Sequence, residues 1–261
     1  MAQGGDPVKV SRILVVGDEL DGLPKGLSFF DPFLRHDVEE EIEAGGEAYI
    51  ARDRNGAPSG LFIYDGYEAT GTVFTKSREA FDSFYRLKPS SYVFSELEVE
   101  GLPRENWNIW QLDVDRAPLG RRIKHRVSIE HDVGEIERFM AMAQPETNMK
   151  WIRVALRHGD KCFVVRVSGR IVGIAWMAIV GGIARSHSVY VEPQFRRTGV
   201  MRDSMEARLM YLRSRGIHTL INEIAESNVA SSGHAAKVGE KVVGRMYLYT
   251  SPGLSGESGS Q

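Results

Sequence analysis

The run Ile171-Val172-Gly173-Ile174-Ala175-Trp176-Met177-Ala178-Ile179-Val180 limits the fold more than any other segment of this chain. It is apolar almost throughout and is bounded by Gly169 on one side and Gly181-Gly182 on the other. A strand with one wet face alternates; an unbroken apolar strand is one covered on both faces. The run is too short to cross a bilayer, which takes about 20 apolar residues. A strand buried on both sides needs helical layers on both sides, so the expected class is α/β or α+β, a twisted mixed central sheet flanked by helices.

The neighbouring pattern fits that class. Gly134 to Met142 and Lys150 to Arg157 read as short helices, and Cys162 to Val167 pairs with the apolar run through a turn at Ser168-Gly169. Ile183 to Val191 reads as a third strand. From Gly199 to Arg215 the residues Met201, Met205, Leu209 and Leu212 recur at helical spacing, and Gly216 ends the helix. His218 to Ala225 is a strand, Asn228 to Val238 a helix, and Glu240 to Tyr249 a last strand.

A faint copy of this plan precedes it. Tyr49 to Asn55, Gly56, then Gly60-Leu61-Phe62-Ile63-Tyr64 repeats the strand, turn, strand order, with the second glycine four residues after the turn glycine, as in Gly169 and Gly173. Ala69 to Phe74, a helix over Arg78 to Leu87 and a strand over Ser91 to Glu98 follow, without a phosphate-binding loop. Residues 8–100 are therefore expected to be a degenerate lobe of the same fold or a substrate-recognition lobe. The stretch 101–121, with Pro103, Asn106, Trp107 and Pro118, reads as a linker, and 122–250 as the working domain. Residues 1–7 and 251–261 read as disordered tails.

The chain has 261 residues and a formal net charge of -2, so no whole-protein positive field draws it to nucleic acid or an anionic membrane. The basic run from Arg121 to Arg126 alternates like a strand entering the domain. With one cysteine, Cys162, no intrachain disulfide forms, and a cytoplasmic location is expected. The histidines lack metal-ligand spacing, so no metal is expected.

Chemistry concentrates in Val191-Glu192-Pro193-Gln194-Phe195-Arg196-Arg197-Thr198-Gly199-Val200-Met201, where a strand ends, Pro193 forces a turn and a loop feeds a helix. The first turn of a helix leaves amides unpaired and carries a partial positive charge. A flexible loop lets those amides converge on phosphate, and Arg196 and Arg197 add permanent charge. The loop is neither a Walker loop nor a dinucleotide fingerprint.

The same run resembles the pyrophosphate loop of the GNAT superfamily of acyl-coenzyme A N-acyltransferases, Arg/Gln-x-x-Gly-x-Gly/Ala. Arg196 and Gly199 match, and Met201 stands where Gly or Ala is usual. Asn222-Glu223-Ile224-Ala225-Glu226-Ser227-Asn228 is similar to the family's Leu-Glu-Val-x-x-Ser-Asn, and Lys237-Val238-Gly239 follows at the family's spacing. The resemblance covers about half the chain and implies the following. Acetyl-CoA lies between splayed strands 183–191 and 218–225. The backbone of Val189, Tyr190 and Val191 holds the pantetheine and acyl carbonyl. Arg196, Arg197, Thr198, Gly199, Val200 and Met201 hold the diphosphate, and Asn228 touches the pantetheine arm.

Transfer to a primary amine (a protein N-terminus, a lysine or a small amine) needs a base, because a protonated amine has no lone pair. Glu223, at the glutamate of the second motif, and His187, on the neighbouring strand, are the candidates; even spacing sets Arg185, His187, Val189 and Val191 on one face. Family members with a tyrosine acid carry it seven residues after the asparagine; Ala235 stands there. That absence, with Met201, keeps open a non-catalytic acyl-CoA sensor or structural protein. Trp176 and Met177 favour acetyl as the acyl group.

Overall fold

The computed structural model describes residues 8–13, 18–88, 92–118 and 122–250; the two segments read as tails lie outside the described residues. In chain order the elements are β1 (Lys9–Ile13), α1 (Asp18–Asp21), α2 (Leu34–Ala44), β2 (Glu47–Arg52), β3 (Pro58–Asp65), β4 (Thr70–Thr75), α3 (Arg78–Leu87), β5 (Tyr92–Ser95) and β6 (Arg104–Asp113). They continue with β7 (Arg126–Glu130), α4 (Val133–Ala143), α5 (Met149–His158), β8 (Lys161–Val167), β9 (Arg170–Val180) and β10 (Ile183–Val191). The chain closes with α6 (Val200–Ser214), β11 (Thr219–Ala225), α7 (Val229–Val238) and β12 (Lys241–Thr250). Among the described residues no helix is long and apolar enough to cross a membrane.

The chain divides into two units, Met1–Trp107 with Arg245–Gln261, and Asn108–Gly244. The stretch expected to be a linker, 101–121, is corrected here: Arg104–Asp113 forms β6. Its sequence is too polar to announce a strand alone. What orders it in the second unit is β11, its hydrogen-bonded neighbour, with Ile109 and Leu112 buried.

In the first unit the strand order is β1-β2-β3-β4-β5-β12. β1 to β4 pair antiparallel in turn, and α3 crosses over to bring β5 parallel to β4. Phe81, Phe84 and Tyr85 of α3 enter a core with Phe62, Val73, Val93 and Tyr249. The parallel pair is stitched at its far end, where Val73 stands opposite Ser95 and the Ser95 hydroxyl donates to the Val73 carbonyl at 3.0 Å. Helix α3 is closed by its own Ser77, whose side chain accepts from the Ala80 amide.

The second unit repeats the plan in the order β6-β11-β10-β9-β8-β7. β9 is buried from Ile171 to Ala178, as its sequence demands. Cys162, Val164, Ile174 and Trp176 meet Ile136, Phe139, Met140 and Ile152 of α4 and α5; Phe163 and Met177 meet Met205, Leu209 and Leu212 of α6. The Cys162 thiol is buried, and that burial pushes its pKa far above the ordinary thiol value. Asp203, at the start of α6, accepts from the amides of Lys124 and His125. Burial would raise its carboxyl, but bonds from Arg202 and these amides hold it at about 2, which pins the entry to β7 against α6.

Gly60 and Gly173 occupy equivalent places, each in the second strand of a hairpin beneath the crossover helix. A Cβ on Gly60 would stand 3.2 Å from Phe84 of α3, and one on Gly173 would stand 2.8 Å from the Val200 Cγ1 of α6. Gly173→Val should therefore push the start of α6 off the sheet and lower stability by about 1–3 kcal/mol, the usual cost of overpacking. A thermal melt that left the midpoint unchanged would contradict this packing.

Candidate functional site

The second unit differs from the first where its parallel strands end. β10 and β11 pair in register from Ile183↔Thr219 to Ser186↔Asn222. Beyond that pair β10 runs on to Val191 and β11 to Ala225 with no further pairing between them. The strands part, and the fork closes at Ser186 and Asn222.

A bulge opens it. Between His187 and Tyr190 the register of β10 against β9 shifts, and Ser188 takes φ +46°, a left-handed conformation uncommon for a residue with a Cβ. The extra residue breaks the expected alternation. Arg185 and His187 share a face, but Val191 does not continue it: Val191 packs with Val200 on the α6 side, while Tyr190 meets Phe139 of α4. Past the bulge one edge of β10 stays bonded to β9 through Tyr190↔Ile174 and Val191↔Gly173, and its other edge turns to the fork. A strand edge offers alternating donors and acceptors to an extended ligand.

The loop that follows is a 3₁₀ turn, Pro193–Phe195, and four residues that lead into α6. Arg197 (φ +63°) and Gly199 (φ +98°) are left-handed, and Gly199 is the N-cap of α6 without a side-chain cap. The first-turn amides are thus not capped by a side chain, unlike those of α3. Arg196, Arg197 and Thr198 are exposed. Arg196 is not loose: its Nε donates to the Val191 carbonyl at 3.1 Å and its guanidinium lies 5.9 Å from the Tyr190 ring. Val200 is buried in the contact with β9, and Met201 points inward, its sulfur 3.9 Å from Arg208.

The two candidate bases lie on adjoining strands, on the face towards α4 and α5, and each already has a partner. The Arg185 Nε donates to Glu223 Oε1 at 2.7 Å. His187 Nε2 is 3.1 Å from Asp160 Oδ2, and the imidazole meets the Trp151 ring edge-on at 5.6 Å. The Asp160 side chain is 1% exposed. Sequence reasoning missed Asp160, which sits just before β8 in a stretch that reads as a helix-to-strand turn. Asn228 caps α7 by accepting from the Ser231 amide at 3.1 Å. Ala235 is buried, and the adjacent His234 has an unpartnered, buried Nε2.

The profile of the Acetyltransferase (GNAT) family matches residues 127–250. No curated protein sequence is significantly similar to the chain. Among solved structures, a Drosophila protein is 12% identical, with a TM-score of 0.66 over 95% of this chain and 99% of its own. A tandem GNAT protein from the clavulanic acid biosynthesis pathway, solved without AcCoA, is 12% identical, with a TM-score of 0.62 over 94% of this chain and 98% of its own. A GCN5-related N-acetyltransferase from Sphaerobacter thermophilus is 14% identical, with a TM-score of 0.57 over 77% of this chain and 79% of its own. At these identities the likeness is one of fold.

If the loop holds a diphosphate, Gly199→Val should weaken coenzyme A binding by about tenfold or more, because a β-branched residue at positive φ costs about 1–3 kcal/mol and would move the loop. Arg196→Ala should weaken it less. Unchanged titration isotherms in both variants would remove the loop from the binding site.

Proposed function

Residues 127–250 are an acetyltransferase domain of the GNAT family, and on that premise we propose that the chain moves an acyl group from coenzyme A to a primary amine by direct attack, with His187 as general base. The observation that carries this reading is the fork: two parallel strands that stop pairing beside a helix N-terminus with no side-chain cap. An extended pantetheine fits the free edge of β10 at Val189 to Val191, and the amides of Arg197 to Met201, with Arg196, suit its diphosphate. Asn228, whose Oδ1 is taken by the Ser231 amide, has its side-chain Nδ2 left to offer the arm.

His187 suits the base better than Glu223. With Nε2–H donating to Asp160, Nδ1 carries the lone pair, and the buried carboxylate steadies the imidazolium that forms. Glu223 has Oε1 engaged by Arg185, so its role is positioning, its Oε2 accepting from the acceptor amine on the face it shares with His187. In the transfer His187 takes a proton from the bound ammonium, the freed amine nitrogen attacks the thioester carbon and the C–N bond forms; His187 later returns its proton to solvent. The C–S bond breaks, sulfur leaves with the electron pair, and the thiolate takes, through water, the proton that the new amide nitrogen sheds. Polarisation of the carbonyl falls to the β10 amides at the bulge.

The first unit reads as a degenerate copy. Its parallel strands are joined to the end by Ser95, and its helix is capped by Ser77. One cofactor per chain follows.

Coenzyme A release with an amine panel should fall by about 10²–10³ in kcat for His187→Ala, within the range of general-base catalysis. Asp160→Asn should show a smaller kcat loss with KM held, and Glu223→Gln should mainly raise the amine KM. Absent turnover in wild type would leave a non-catalytic binder; rates indifferent to His187 and Glu223 replaced together would remove both from the machinery. Titration with acetyl-CoA should give one site per chain; two would restore the first unit as a working lobe.

A further inference from the structure

Helix α6 carries an arginine where its pattern calls for a core residue. Arg208 lies one turn beyond Met205 and one before Leu212, on the face that meets the sheet, and it is 1% exposed. Its Nη1 donates to the Ser186 hydroxyl, its Nη2 touches the Met201 sulfur at 3.9 Å, and its Nε has no partner. Among the described residues no carboxylate lies within ion-pair distance of it. The nearest compensation is Glu240, which acts through space and gives its own bond to Asn222 Nδ2, accepting at 2.7 Å. A buried guanidinium short of a counter-ion and of one hydrogen bond is costly. Its environment shows that cost. Burial pulls Arg208 down to about 10, and burial raises the carboxyl of Glu240 against the pull of Asn222 and Arg208.

The place matters as much as the charge. Ser186 and Asn222 are the last paired residues of β10 and β11. A cofactor with its diphosphate at Arg197 to Met201 and its pantetheine along Val191 to Val189 extends back down β10, so its acyl end arrives at this closed end of the fork. Arg208 stands under that end on the α6 side. Met201, the departure from the loop pattern, covers the guanidinium with an unbranched, flexible side chain that can swing aside.

Resting on the acyltransferase reading above, we propose that the acyl group ends in a carboxylate, and that Arg208, with Ser186, receives it. The donor class is then the coenzyme A monothioester of a short dicarboxylic acid rather than acetyl-CoA. The carboxylate supplies the missing counter-charge and accepts from the idle Nε, while the transfer itself is unchanged at the thioester carbon.

The test compares succinyl-CoA with butyryl-CoA, which has the same chain length without the charge, and with acetyl-CoA, by titration calorimetry on the full chain. Succinyl-CoA should bind about tenfold or more tightly than butyryl-CoA, the scale of one charged hydrogen-bonding contact. Arg208→Met should erase that preference while leaving butyryl-CoA affinity within about threefold, and Arg208→Lys should restore part of it. If Arg208→Met does not fold, Ser186→Ala should still narrow the preference. Equal or tighter binding of the uncharged esters by wild type would overturn this proposal and leave the acyltransferase reading standing. Failure of all three esters and of coenzyme A itself to bind would overturn both.

Discussion

Everything in the second unit follows from where β10 and β11 stop pairing. A parallel pair normally satisfies its backbone along its whole length, and leaving strand edges open costs hydrogen bonds that water or a ligand must replace. Here the opening is set by a backbone bulge. Ser188 in a left-handed conformation adds a residue to β10, and the strand bends away from its parallel neighbour while holding its antiparallel one. Such a conformation persists only where surrounding packing enforces it. The packing is visible: Val191, Val172, Val165 and Val200 clamp one side of the bent strand, and Tyr190 against Phe139 clamps the other.

The first unit shows what the same plan becomes without that bend. β4 and β5 stay paired to Ser95, whose hydroxyl bridges back to Val73. In the second unit the equivalent region is a loop with two left-handed residues and no side-chain cap. The chain thus carries two solutions of one topology, one sealed by its own serines and one whose helix N-terminus has no side-chain cap. A duplicated fold in which one copy keeps the scaffold and the other the site is the simplest account of that contrast.

Much of this was legible in the sequence, and the reasons are local. β10 begins and ends where Gly181-Gly182 and Pro193 say it must, and α6 spans the residues between Gly199 and Gly216 that its apolar spacing marks. The loop was legible because turn chemistry and helix-terminus electrostatics act within a few residues. What escaped depends on partners far away in sequence. β6 looks like a linker because its Trp107 and Asn106 carry no pattern until β11 lies beside it. The bulge at Ser188 leaves no mark in composition, so Val191 was assigned to the wrong face. Asp160 and Arg185 acquire their meaning only when the fold sets them against His187 and Glu223.

Arg208 is the instructive case, since a signal for it did exist. Met201, Met205, Leu209 and Leu212 define the buried stripe of α6, and position 208 lies inside that stripe. An arginine on a core face is either paired, snorkelling or functional. The structure removes the first two: the side chain is fully enclosed, and Glu240, the acid that acts on it, is bonded to Asn222 instead. His234 adds to the same pressure, for burial and then the nearby Arg208 and Lys237 charges push its imidazole below the ordinary value, which keeps it neutral. A buried guanidinium whose Nε has no partner and whose nearest acid is bonded elsewhere lacks a counter-ion of its own, and it lies at the closed end of the only fork the domain opens among the described strands.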